Sequence, residues 1–151
     1  MITSIMNEML GNQYFIARRF SEACNALEAA YLKNPLNFSI KKKLIICYLQ
    51  TDQFEKAFQS FYELISDNIE IIMNTDMLKD DCPCPEIIDQ TIPELKSNSE
   101  AELIIKLGIL WLYCDLEKSI HYFEKVPKTH QYYQSVNKIL QIEKSQQTKR
   151  N

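Results

Sequence analysis

Two stretches of this chain repeat one another at a fixed distance of 34 positions. The first, from Leu10 to Pro35, reads LGNQYFIARRFSEACNALEAAYLKNP; the second, from Leu44, reads LIICYLQTDQFEKAFQSFYELISDNI. Laid over each other without a gap, Leu10 meets Leu44, Tyr14 meets Tyr48 and Phe20 meets Phe54. Ala23 meets Ala57, Leu27 meets Phe61 and Ala30 meets Leu64. A period of this length marks stacked supersecondary units, none of which buries its apolar face alone.

Within a unit the apolar residues recur at three and four, the spacing of a helix stripe. Met6, Leu10, Tyr14 and Ala17 form one such row; Phe20, Ala23, Leu27, Ala30 and Tyr31 form the next. Small residues in these rows (Gly11, Ala23, Ala30) let helix backbones approach, and large ones (Tyr14, Phe20, Leu27) fill the space around them. The chain has only two glycines, Gly11 and Gly108, each after a leucine and each in mid-helix. Glycine costs a helix about 1 kcal/mol relative to alanine, so two placed there point to close helix crossings. The second copy has Ile45 at that place and must pack differently. Asn34-Pro35 closes the first unit, since the residue before proline leaves helical geometry and proline then opens the next helix.

The spacing predicts helices over 4–17, 20–33, 36–50 and 53–66, with short links that fold neighbours back on each other. Residues 67–98 carry three of the five prolines. They read as a degenerate unit: a helix of about three turns holding Ile69, Ile72 and Met73, a turn at Lys79-Asp80-Asp81, and a short helix opened by Pro85 and cut by Pro93. The pattern returns at Ser99-Glu100-Ala101-Glu102, which has the form of a capping box. Leu103, Leu107, Gly108 and Trp111 then repeat the spacing of Met6, Leu10, Gly11 and Tyr14. With one residue deleted in the turn, Leu116, Ser119, Phe123 and Val126 fall on Phe20, Ala23, Leu27 and Ala30, and Pro127 closes the unit. A last helix over 129–146, with Tyr132, Val136, Ile139 and Leu140 on one face, reads as a cap over the final open core. Residues 145–151 read as a frayed polar tail.

Leu10-Gly11, Tyr14, Ala23, Leu27, Ala30 and Pro35 together resemble the tetratricopeptide repeat family. The resemblance covers about two thirds of the chain, strongest in the first copy. It implies an all-α, right-handed superhelix of antiparallel helix pairs over 1–146, with repeats at about 4–35, 36–66, 67–98 (degenerate) and 99–127 and a capping helix. It also implies that the first helix of each unit lines a concave groove for a partner. Carried over by place, the groove is Ile5, Glu8, Asn12, Phe15 and Ile16; Ser39, Lys42, Ile46, Leu49 and Gln50; and Glu102, Ile105, Ile109, Leu112 and Tyr113. Most of these are apolar, which suits an apolar or amphipathic peptide segment. Some family members hold a carboxylate tail in a clamp of Lys, Asn and Arg. Here Asn12 matches, Lys43 stands where an Asn is expected, Lys106 adds one cation, and Glu8 and Glu102 stand where lysines would be needed. Their charge repels a carboxylate, so that ligand is rejected.

Composition narrows the rest. At 46% hydrophobic and 25% charged, 151 residues read as one ordinary globular domain. A net charge of −3 disfavours nucleic acid. No apolar run is long enough for a membrane span, and the first residues do not read as a signal peptide. Five scattered cysteines fit a reducing compartment, hence the cytoplasm. Cys82-Pro83-Cys84-Pro85 reads as a rigid turn; the alternative is half a zinc or redox site completed by Cys114 and His121, at a spacing unusual for either. His121 and His130 have no triad partners, no glycine-rich loop is present, and no catalytic residue, cofactor or metal is expected. Lys41-Lys42-Lys43 reads as a solvated run, and Trp111 as a core residue whose indole N–H finds a partner. The expected function is a non-enzymatic adaptor or scaffold binding a protein or peptide, with a homodimer among its forms. The alternatives are a cytoplasmic chaperone for secreted proteins and a metal or redox protein using Cys82 and Cys84.

Overall fold

A computed structural model describes residues 2–96 and 100–150. Among the described residues the chain is all-α, without strands. Its helices are α1 (Ile2–Ile16), α2 (Phe20–Lys33), α3 (Phe38–Gln50), α4 (Phe54–Asn68), α5 (Glu70–Met73), α6 (Cys84–Thr91), α7 (Ala101–Leu112), α8 (Leu116–Phe123) and α9 (Tyr133–Arg150). One 3-10 turn covers Ile92–Glu94. The chain divides into two compact units, Met1–Phe61 and Tyr62–Asn151, where composition alone reads as one domain. None of the helices is long and apolar enough to cross a membrane.

In the first unit, α2 packs along α1 and α3 packs on α2. A Cβ built on Gly11 would lie 2.6 Å from Leu27 Cδ2, so the glycine is there to let the helices touch. Ala23, Leu27 and Ala30 of α2 are fully buried beside it. The α1–α2 link turns through Arg18 at φ 62°, and the α3–α4 link through Asp52 at φ 57°. These residues are again 34 positions apart. Each turn is closed by a six-to-one backbone bond, Arg19 N to Tyr14 O at 2.8 Å and Gln53 N to Tyr48 O at 2.9 Å. Pro35 does not open α3. The chain makes a turn at Asn34–Asn37 (Asn37 N to Asn34 O, 3.1 Å), and Asn37 caps the helix by accepting from Ile40 N at 3.2 Å.

The second unit repeats the glycine crossing. A Cβ on Gly108 would meet the Phe123 ring at 2.9 Å, the same pairing of places as Gly11 with Leu27. Its turn is built differently. The deleted residue removes the left-handed position, and Asp115 instead caps α8 by accepting from Lys118 N at 3.2 Å. α5 is a single turn rather than three, because Asn74 and Thr75 already bond back onto Glu70 and Ile72. Asp76 accepts from Leu78 N and Lys79 N, both at 3.0 Å, and fixes the turn that ends at Asp81. Pro85 stands in the first turn of α6, where no N–H is required, and Pro93 converts the helix end to 3-10. Of the expected capping box, Ser99 lies outside the described residues; Glu100 precedes α7 and accepts from Lys96 N at 3.2 Å.

α9 starts at Tyr133 and stays helical to Arg150, through the residues read as a frayed tail. Basic residues in its last turn suit the helix C-terminus. It packs on α8 through Val136 and Ile139. Glu143, in the same row, is fully buried. Its Oε2 is 2.5 Å from Ser119 Oγ, which is 2.7 Å from Gly108 O. Burial pushes this carboxyl up to about 8; the Ser119 bond opposes the shift and the Glu124 carboxylate adds to it. A protonated Glu143 donates to Ser119, and the single serine hydrogen is then left for Gly108 O.

Candidate interaction surface

The groove residues expected from the family pattern divide sharply. Phe15, Ile46, Leu49, Ile105, Ile109, Leu112 and Tyr113 are all buried. Phe15 is 1% exposed and meets Phe20 edge to face at 6.0 Å. α3 is buried without a break from Leu44 to Leu49, which is the pattern of a helix covered all round. None of these side chains is open to a partner in this conformation.

The polar members are used locally. Asn12 Oδ1 accepts from Lys43 Nζ at 2.9 Å, and Glu8 Oε1 accepts from Asn37 Nδ2 at 3.1 Å, so both join α1 to the α3 region. Lys42, Gln50 and Glu102 are half-buried or exposed, and Ser39 is exposed. Lys43 also lies 5.9 Å from the Phe15 ring centroid, and Lys41 lies 6.0 Å from that of Tyr31. The lysine run is thus partly packed onto aromatic faces rather than wholly solvated.

What is open on α1 is a face that includes two of the expected groove residues, Ile5 and Ile16. Ile5, Met6, Met9, Leu10 and Ile16 are all exposed, with Leu32 at the end of α2 and Leu36 just beyond it. Met6 and Leu10 belong to the row that the sequence assigns to the core, whereas the buried face of α1 is Gly11 and Phe15. The repeat pattern is silent on whether a helix precedes α1, so it does not tell a covered row from a bare one. α1 carries one charged side chain, Glu8, and that one is bonded to Asn37. Ile5, Ala29, Leu32 and Lys33 also border an open cleft of about 610 Å³ between the start of α1 and the end of α2.

A second cluster joins α2, α3 and the start of α4. Glu28 Oε2 accepts from Tyr48 Oη at 2.9 Å, with Lys56 Nζ at 3.7 Å. Cys24 Sγ lies 3.7 Å from both Glu28 Oε1 and Gln53 Nε2. Burial first, then Glu28, raises the Cys24 thiol to about 11. Burial also raises Cys47, and burial with the Glu28 bond raises the Tyr48 phenol. These groups stay protonated near neutrality; Tyr48 donates from α3 to Glu28 of α2, and Lys56 of α4 stands beside the same carboxylate.

Cys82 and Cys84 do not form a donor set. Cys84 is fully buried at the start of α6, while Cys82 is half-buried. Cys114 is exposed as a residue, yet its sulfur is tucked 3.9 Å from Met77 Sδ. Partial burial, with Cys82 and Asp115 nearby, raises its thiol to about 11, away from thiolate chemistry. Among the described residues no three His, Cys, Asp or Glu side chains stand together as a metal site needs. His121 is exposed and lies edge to face with Tyr122. Trp111 is half-buried rather than core: Lys118 Nζ stands 4.3 Å from its ring centroid and roofs the indole. Its Nε1 is sealed from solvent without a hydrogen-bond partner among the described residues. Sequence reasoning passed over Glu143, although a glutamate in register with Val136 and Ile139 is the signal that could have found it.

No family model, no curated protein and no solved structure matches this chain. The likeness to tetratricopeptide repeats therefore stays a likeness read from its own residues.

Proposed function

We propose that this chain is a non-enzymatic protein-interaction module, a short superhelical array of tetratricopeptide-like helix pairs that docks a protein partner. The observation that carries this reading is the bare apolar face of α1 with Leu32 and Leu36. Seven large apolar side chains, from 42% to 81% exposed, gather on two adjoining helices and the turn after them. Scattered exposed leucines need no explanation, but a contiguous apolar face on a globular chain marks an interaction site. The docking surface is this face, which takes in Ile5 and Ile16 of the expected groove; the other apolar members of that row, from Phe15 to Tyr113, are covered by the chain itself.

The test is affinity capture by the full chain beside an Ile16→Glu/Leu32→Glu variant, with circular dichroism to show that both fold. Both positions are exposed, so the variant keeps its helical signal and its melting curve. A partner held by the wild type and released by the variant is the expected result. Equal capture by the two would overturn the assignment of this face.

A further inference from the structure

Sulfur gathers at one place in the second unit, where the loop between α5 and α6 comes back to the α7–α8 turn. Cys114 Sγ donates to Met77 Sδ at 3.9 Å, across 37 positions of chain. Cys82 is tied to Met77 through the backbone, Cys82 N to Met77 O at 3.2 Å, and acts electrostatically on Cys114. Met73 borders the same cysteine in a cleft of about 210 Å³. The loop that carries Met77 and Cys82 is held by its own bonds: Asp76 accepts from Leu78 N and Lys79 N, and Thr75 Oγ1 donates to Ile72 O at 2.6 Å. Met77 and Cys82 are half-buried and Cys114 is exposed, so solvent reaches the group without unfolding. Among the described residues no three His, Cys, Asp or Glu side chains stand together, so neither imidazole nor carboxylate turns these thiols into a zinc set. Thiols with a thioether are instead the donors of a soft ion.

We propose that Met77, Cys82 and Cys114 bind a soft monovalent cation, Cu(I), with two thiolates and one thioether as its donors. Two sulfurs that share one ion at about 2.3 Å, at angles between tetrahedral and trigonal, stand about 3.8–4.0 Å apart. The Cys114–Met77 pair already has that spacing. A disulfide is the other use for two thiols, but the sulfur in contact with Cys114 is a thioether, which can ligate and cannot join a disulfide. Burial keeps Cys114 a thiol, which slows exchange, whereas a bound ion displaces the proton. Each thiol gives its proton to solvent as the ion binds, and the copper stays Cu(I). Two thiolates on Cu(I) leave one negative charge, and Lys118, which acts on Cys114 in the opposite sense to Cys82, offsets it. The site is independent of what the α1 face binds.

Anaerobic titration of the full chain with Cu(I), in competition with the chelator bicinchoninate, tests this. The wild type should hold one Cu(I) per chain against the chelator. Cys114→Ser and Cys82→Ser should each weaken that ion about 100-fold or more. Met77→Leu keeps the bulk and loses the donor, and should weaken it about 10-fold with the helical signal unchanged. Zn(II) should be held about 100-fold more weakly than Cu(I), or worse. Cys24, Cys47 and Cys84 are present in all these proteins, so the differences report the cluster alone. X-ray absorption at the copper edge should show sulfur neighbours only. A wild type that yields all its copper to the chelator overturns the proposal. So does a variant of any of the three residues that binds as tightly as the wild type, copper with nitrogen or oxygen neighbours, or a preference for Zn(II). If Met77→Leu fails to fold, Cys114→Ser, at an exposed position, decides.

Discussion

α1–α2 and α7–α8 are built on the same crossing and end in different surroundings. In each, a glycine of the first helix accepts a large side chain of the second, Leu27 on Gly11 and Phe123 on Gly108. Each of these large side chains is preceded, one helical turn earlier, by a small buried residue, Ala23 or Ser119. Around α7 the remaining apolar places are filled by neighbours, and α9 locks on through Glu143 and Ser119. Around α1 the places of Leu107 and Tyr113 are held by Leu10 and Ile16, both exposed, and those of Ile104, Ile105 and Ile109 by the half-buried Asn7, Glu8 and Asn12. Local repeat chemistry decides how two helices cross; whether the outer row is core or surface depends on what lies beyond it.

Breaking the two crossings should hurt equally, and the largest effect expected is at the row both pairs bury. Phe15→Glu and Leu112→Glu each remove a buried apolar side chain and strand a charge, and should cost several kcal/mol, above the roughly 3–5 kcal/mol of a large core truncation. Ile16→Glu, one residue along and exposed, should leave the thermal melt unchanged. A Phe15→Glu chain that melts like the wild type would show that α1 is not anchored as described.

The α9 lock should make the second unit sensitive to pH. The Glu143 carboxyl titrates near 4.5 when solvated and at about 8 when folded. Between these values the folded chain holds a proton that the unfolded chain has lost. Stability is therefore full below about 4.5. It declines by up to about 1.4 kcal/mol per pH unit as pH rises toward 8, then levels off. Glu143→Gln should flatten that slope in denaturant titrations run across this range; an equal slope in both proteins would refute the buried proton.

The turns should give the smallest difference. Asp115→Ala removes the α8 cap and should cost about 1 kcal/mol. Asp52→Gly, at φ 57°, relieves a left-handed aspartate and should stabilise by less than about 1 kcal/mol. Opposite signs in chemical denaturation would sharpen the contrast between the two kinds of turn, and equal signs would erase it.

Most helix positions were legible because packing in each unit is periodic. Ala23, Leu27, Ala30, Ser119 and Phe123 declare themselves by spacing, and two mid-helix glycines declare the crossings. Other features depend on contacts that no period encodes. Asn37 took the start of α3 from Pro35 because a side-chain acceptor satisfies a free N–H, which proline merely avoids needing. α9 outran its expected end because polar residues with good helix propensity extend a helix once its inner face is anchored. Of the expected groove residues, Ile5 and Ile16 are exposed while the other apolar ones are buried, for a similar reason. Place along a first helix says that Phe15, Ile46 or Ile105 faces inward, but not that the inward side is already occupied.

Trp111 has one more consequence. It is the only tryptophan, and it sits under Lys118 where α7 meets α8. Excited near 295 nm, the protein emits from that one place, so fluorescence follows the α7–α8 crossing and its roof while α1 and α2 contribute no indole signal. Circular dichroism weighs every helix. Melting curves from the two methods that coincide would describe one cooperative transition; curves that part would let each crossing be timed separately in the intact chain.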